Sequence, residues 1–141
     1  MARHNLGERA KAVLFQNRTT TTATSANTTG QDALGFDQAL FLFLPDTIAS
    51  GASVTVAKLQ DSADNSAWSD IAGANFLALN ATLDSTEDVK VYVGSVNLNK
   101  AKRYIRFSIT ADTGAVSWSL VALASSISTP PGQTEGMIFQ V

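Results

Sequence analysis

"RYIRFSITADTGAVSWSLVALAS", Arg103 to Ser125, decides the fold class. Ile105, Phe107 and Ile109 alternate with Tyr104, Arg106, Ser108 and Thr110, so the run has one apolar and one polar face. Beyond "DTG", Asp112 to Gly114, the alternation resumes with Val116, Trp118, Leu120 and Ala122 against Ser117 and Ser119. Successive side chains of a strand point to opposite faces, so a period of two marks a half-buried strand. Aspartate and glycine supply turn chemistry between the runs, and the pair is predicted to fold back as an antiparallel hairpin.

The same signal recurs upstream. "DVKVYVG" sets Val89, Val91 and Val93 against Lys90 and Tyr92, while "ASVTVAKLQDS" is a β-branched run opened by the turn-prone "ASGA". "QALFLFLPDT" is apolar on both faces from Leu40 to Leu44, which predicts a central, doubly covered strand ended by Pro45. "KAVLFQ" and the terminal "MIFQV" supply two further strands, and apolar residues at helical spacing are scarce. Seven or eight short strands with turn punctuation predict an all-β fold: an antiparallel two-sheet β-sandwich of jelly-roll type, with an extended N-terminal arm and a C-terminal tail.

A chain of 141 residues suits one domain with a real core. Residues 1–18 read as a basic arm that could hold the first strand, 19–124 as the sandwich, and 125–141 as a Pro/Gly connector with a C-terminal strand. Thr19 to Thr22 favour extended backbone within a threonine-rich edge and loop. "MIFQV" can complete its own sheet, the preferred reading, or pair with a neighbouring subunit. The arm carries Arg3, Arg9, Lys11 and Arg18 against Glu8, a net of +3; the formal total is −2, leaving −5 for the rest. A basic leader on an acidic body fits an arm that seeks an acidic surface, or a frayed end.

Chemistry is poorly supplied, and no enzyme activity is expected. Cysteine is absent, which removes disulfides and thiolate sites and fits assembly in a reducing cytosol. His4 is the one histidine, so a Ser-His-Asp triad has nowhere to form. "GERAKA" lacks the second glycine of a phosphate loop. No run of about 18 apolar residues is present, so no membrane partner is expected.

The carboxylates cluster in "KLQDSADNSAWSDIAG", Lys58 to Gly73. Counted from Asp61 as a calcium loop, Ala63 and Ala72 stand where oxygen ligands are required, so that motif fails and no metal or cofactor is predicted. A sugar site would need Trp68 or Tyr92 exposed beside Asp64 or Asn65. The favoured reading is a polar hairpin tip, with Leu59 and Trp68 packed into the sandwich. "NKAKRYIRF" concentrates Lys100, Lys102, Arg103 and Arg106, too small a field to predict nucleic acid; it reads as a solvated strand or a salt-bridged partner surface.

"VTVAKLQDSADNSAWSDIAG" and "KRYIRFSITADTGAVSWSLVALAS" together resemble a module of tailed-bacteriophage structural proteins. The likeness rests on Leu59, Gln60, Asp64, Trp68, Arg103, Tyr104, Ile105 and Arg106, and covers roughly residues 52–124. Length, arm and β pattern look most like the capsid cement (decoration) proteins of short-tailed phages, a Bordetella phage among them. The resemblance implies a jelly-roll homodimer on the capsid exterior of the virion, clamping major capsid proteins. It brings no catalytic residues. Charge and apolarity nominate Arg3, Arg9, Lys11, Phe15, Arg18, Lys102, Arg103, Met137 and Phe139 for capsid contact. A tail or neck component, or a carbohydrate-binding sandwich aiding adhesion, stands as the alternative.

Overall fold

A computed structural model describes residues 10–87, 89–125 and 137–141, with the side chains of 10–15 and 137–140 outside that description. The described residues form strands β1 (Ala10–Thr22), β2 (Ser25–Asn27), β3 (Gln31–Asp32), β4 (Gln38–Ile48), β5 (Ser53–Ser62), β6 (Ser69–Asn75), β7 (Tyr92–Asn97), β8 (Tyr104–Asp112), β9 (Ala115–Ser125) and β10 (Met137–Gln140). Sheet A runs β1-β9-β4-β7-β10, and sheet B runs β2-β8-β5-β6 with β3 also on β8. Taking β2 and β3 as two pieces of one edge, this is the double Greek key order of a jelly roll. β10 adds to it, parallel to β7, so "MIFQV" completes its own sheet.

Alternation builds the core. β8 turns Ile105, Phe107, Ile109 and Ala111 inward, β9 turns in Val116, Trp118, Leu120, Ala122 and Ala124, and β4 turns in Ala39, Phe41 and Phe43. Phe43 sits among Phe107, Phe76, Tyr92 and Trp118, with ring centroids 5.1, 5.6, 6.1 and 6.5 Å away. Each such ring, fully buried, contributes about 1.5–3 kcal/mol of transfer free energy. Two hydroxyls pair with buried N–H groups. Trp118 Nε1–H donates to Thr21 Oγ1 at 3.0 Å, fastening edge strand β1 to the core. Thr28 bridges the break between β2 and β3, donating its N–H to Phe107 O and accepting from Phe107 N, each at 2.9 Å.

Three expectations are corrected. Arg103–Ser125 is not a hairpin: β8 pairs with β5, β2 and β3, and β9 with β1 and β4, so Asp112–Gly114 is a corner between sheets. Alternation cannot tell these cases apart, because both place the two apolar faces in one core; here Phe107 meets Trp118 across the sandwich, 5.2 Å between centroids. Thr113 takes φ 53°, and Gly114 lies so close that a Cβ would come within 2.7 Å of Ala52 Cβ, which is why glycine follows. Among the described residues the one hairpin within a sheet is β5–β6, with Gln60 opposite Asp70 and Asp61 opposite Ser69.

In "DVKVYVG" the register is inverted. Tyr92 and Val96 point inward, whereas Val89 and Val91 are 78% and 52% exposed. Val89 has φ 58° and donates its N–H to Pro45 O, so the chain is turning there and the alternation belongs to no strand before Tyr92. Pro45 does not end β4; the strand continues to Ile48 with a register shift after Pro45, as proline in a sheet requires. β4 is central as expected, but Leu40, Leu42 and Leu44 on its outer face are only partly covered.

Candidate interaction site

The three aspartates of the β5–β6 stretch all serve the hairpin. Asp61 is nearly buried; its Oδ2 accepts from the Lys102 backbone N–H at 3.0 Å, and its Oδ1 lies 3.4 Å from Lys102 Nζ. Asp64 Oδ1 accepts from Ser66 N, Ala67 N and Ser62 Oγ at 2.9–3.0 Å, an Asx-type closure of the tip. Those hydrogen bonds, the Ala67 and Ser66 backbone N–H groups first, hold the Asp64 carboxyl far below its ordinary range. Asp70 receives Lys58 Nζ at 2.6 Å and Gln60 Nε2 at 2.7 Å, and these bonds also lower its pKa. Each carboxylate of the stretch accepts hydrogen bonds from within the chain.

Trp68 is half-buried, not part of the core, which corrects the expectation that it packs inside. It lies on the outer face of sheet B, with the Arg106 guanidinium 4.5 Å from its ring centroid. Its Cη2 edge packs against Gly30, where a Cβ would come within 2.7 Å. Trp118, not Trp68, is the core tryptophan.

Among the described side chains, Arg18 stands apart from Lys102 and Arg103. Arg3 and Arg9 lie outside the described residues. Lys11 and Phe15 stand on β1, and Met137 and Phe139 on β10, with their side chains outside the description. Arg18 pairs with Asp46, Nε to Oδ2 at 2.5 Å, toward the end of the sandwich that holds the β8–β9 corner. Lys102 and Arg103 sit at the opposite end, where β8 begins. Arg103 grips Asp32 through Nε and Nη2, the latter at 2.7 Å, which raises the pKa of Arg103 and lowers that of Asp32. Two of the four cations of the patch, Lys102 and Arg103, are thus paired within the chain.

What residue-by-residue reading missed is the outer face of sheet A. Leu40 pairs with Leu123 and Leu42 with Val121 across β4 and β9, and Leu42 with Val93 across β4 and β7. With Leu44 these make a contiguous aliphatic face that is partly exposed, 42% at Leu123. The signal was present: "LFLFL" is apolar at every position, and a strand with one wet face has no need of that. Depressions with volumes of about 330 and 350 Å³ flank β6. A third, of about 30 Å³, lies between Phe36, Phe41, Leu98 and Ile105.

No family model and no curated protein sequence matches the chain. Solved structures do share its fold. One is the PBSX exported protein XepA, 18% identical with a TM-score of 0.59 over 99% of this chain and 45% of that one. The SPBc2 prophage-derived protein YomS is 12% identical with a TM-score of 0.52, covering 82% of this chain and 91% of that one. The chain therefore spans less than half the length of XepA. Identities this low establish a common fold, and function has to be argued from the surface.

Proposed function

We propose that the chain is a non-enzymatic virion structural protein that binds the outer surface of a phage head and clamps major capsid proteins together. The observation that carries this reading is the aliphatic outer face of sheet A, Leu40, Leu42, Leu44, Val93, Val121 and Leu123, on a jelly roll whose inner faces already fill its core. Contiguous apolar surface of this kind marks a contact with another protein. The fold shared with phage-derived proteins supports a virion setting. In this reading the subunit is made in the host cytoplasm, forms a homodimer and decorates the capsid exterior.

The energetics suit the role. A protein that binds only the assembled shell stabilises it by linkage, and many symmetry-related clamps act together. Each interface can then be modest, provided it includes buried apolar groups to offset the loss of freedom on docking. The test is co-sedimentation of the purified protein with undecorated heads, followed by heating. Binding that raises the temperature of head rupture is expected, and removal of residues 1–9, which precede β1, should weaken it without changing the melting temperature of the subunit. Binding to tails or necks in place of heads would move the protein to the alternative location, and binding to neither would end the reading.

A further inference from the structure

Arg106 is the half-buried cation left without a carboxylate among the described residues. Arg18, Lys58, Lys90, Lys102 and Arg103 each have one within 4 Å: Asp46, Asp70, Glu87, Asp61 and Asp32 respectively. Lys100, also without one, is exposed on a turn. Arg106 is different because it is held. Its Nε–H donates to Gln60 Oε1 at 2.9 Å, and Gln60 is itself oriented by donating Nε2–H to Asp70 Oδ1 at 2.7 Å. The guanidinium plane rests over the Trp68 ring. Both terminal Nη groups have no acceptor among the described residues. Partial burial pulls the Arg106 pKa below its ordinary value, the mark of a charge whose hydration is only partly replaced.

A planar fork with its two ends free matches a carboxylate bidentately. A phosphate carries more charge and calls for further cations, whereas the neighbouring Lys58 is already neutralised by Asp70. A sugar would stack on the tryptophan face, and Arg106 covers one face of Trp68 while Gly30 meets its edge. Tryptophan and arginine are also among the residue types enriched at the energetic centres of protein interfaces. We propose that Arg106, seated on Trp68 at the outer face of β8, is the anchor for an aspartate or glutamate side chain of a protein partner. The site deepens the virion reading and rests on it for the identity of that partner, a subunit of the particle. Sheet A would supply the apolar contact and sheet B the charge-selective one.

The test has two arms. In the first, the isolated protein is titrated with a hexaglutamate peptide while the Arg106 Nε–H and Trp68 indole N–H signals are followed by NMR. Both signals should shift, hexaglutamine should leave them unmoved, and Arg106→Gln should abolish the indole response at an unchanged melting temperature. Should Arg106→Gln fail to fold, Arg106→Lys replaces it and should weaken the response roughly fivefold or more, since a point charge cannot bridge both oxygens. Absence of a glutamate-specific shift overturns the proposal; an equal shift from inorganic phosphate or a sialylated trisaccharide overturns it in favour of a general anion or glycan site. In the second arm, Arg106→Gln should lose roughly tenfold or more in affinity for undecorated heads. Undiminished binding refutes the Arg106 anchor and leaves the head reading standing. A wild-type protein that ignores heads yet answers to glutamate refutes the head reading and leaves the anchor standing.

Discussion

Sheet A turns leucine and valine outward at Leu40, Leu42, Leu44, Val93, Val121 and Leu123, while sheet B turns out Lys58, Gln60, Arg106, Ser108 and Thr110. Both sheets bury the same kind of inner face, so the core does not explain the difference. The outer face of sheet B is closed on itself by hydrogen bonds from Lys58 and Gln60 to Asp70, from Arg106 to Gln60, and between Ser25 and Thr110. Among the described residues sheet A has no comparable polar network at its centre; Thr20 meets Ser117 and Arg18 meets Asp46 toward one end, and Gln38 donates to Ser95 toward the other. One face is polar, with Arg106 its open point, and the other is apolar. That asymmetry is what a docking subunit needs, since a polar outer surface keeps it soluble and an apolar one gives it somewhere to bind.

Four experiments break or sharpen the contrast. The largest effect is expected in the core that both sheets share. Trp118→Ala empties the space beside Phe43 and Phe107, leaves Thr21 without its donor, and should cost about 3–5 kcal/mol in urea unfolding. Fluorescence of Trp68 on sheet B and the far-ultraviolet signal of the whole chain should then shift to lower urea together; separate transitions would mean that the sheets are independent units.

Next come the outer faces themselves. Leu42→Ser and Leu123→Ser should each cost about 1 kcal/mol or less, because both side chains are already partly in water, yet together they should sharply reduce head occupancy. Ser108→Ala on sheet B, measured alongside, should change neither. Equal losses from the two faces would erase the distinction.

Tyr92 probes the loop beside sheet A. Burial first, then the charge of Glu87 and the hydrogen bond to it, push its phenol up to about 12 from an ordinary 10.0. A raised pKa means stability that is whole below pH 10.0 and is lost as pH rises toward about 12. Tyr92→Phe should forfeit about 1 kcal/mol near neutrality and flatten this alkaline loss. An unchanged alkaline slope would show that some other group carries it. The smallest effect belongs to Arg103→Ala: its pair with Asp32 is nearly half exposed on both sides and should contribute about 0–1 kcal/mol, less at high salt. A cost well above that would make the basic segment a structural clamp.

Much of the fold was legible because alternation is a local property. "RYIRFSITAD" and "AVSWSLVALAS" read correctly as strands with the correct faces inward, and the tip of Lys58–Gly73 was legible from its aspartates and asparagine. Pairing was harder, because it is set by which neighbours are available. The corner at Asp112–Gly114 and the hairpin at Ala63–Trp68 both offer turn residues between alternating runs, and only the jelly-roll order separates them. "DVKVYVG" misled because Val89, at φ 58°, belongs to a turn whose apolar residues happen to alternate. The candidate site was least legible. Lys102 and Arg103 drew attention as charges, but charge says nothing of the partners that Asp61 and Asp32 bring from distant strands. Arg106 and Trp68, thirty-eight positions apart, meet only once β8 and the β5–β6 tip are in place.

A reconstruction of the virion is the most direct test of the central claim. Jelly-roll density is expected on the outside of the head, with the leucine face of sheet A against a capsid subunit and a carboxylate within hydrogen-bonding distance of Arg106. Such density at the tail or neck, or a head surface that meets the subunit with both of these faces open to solvent, would contradict it.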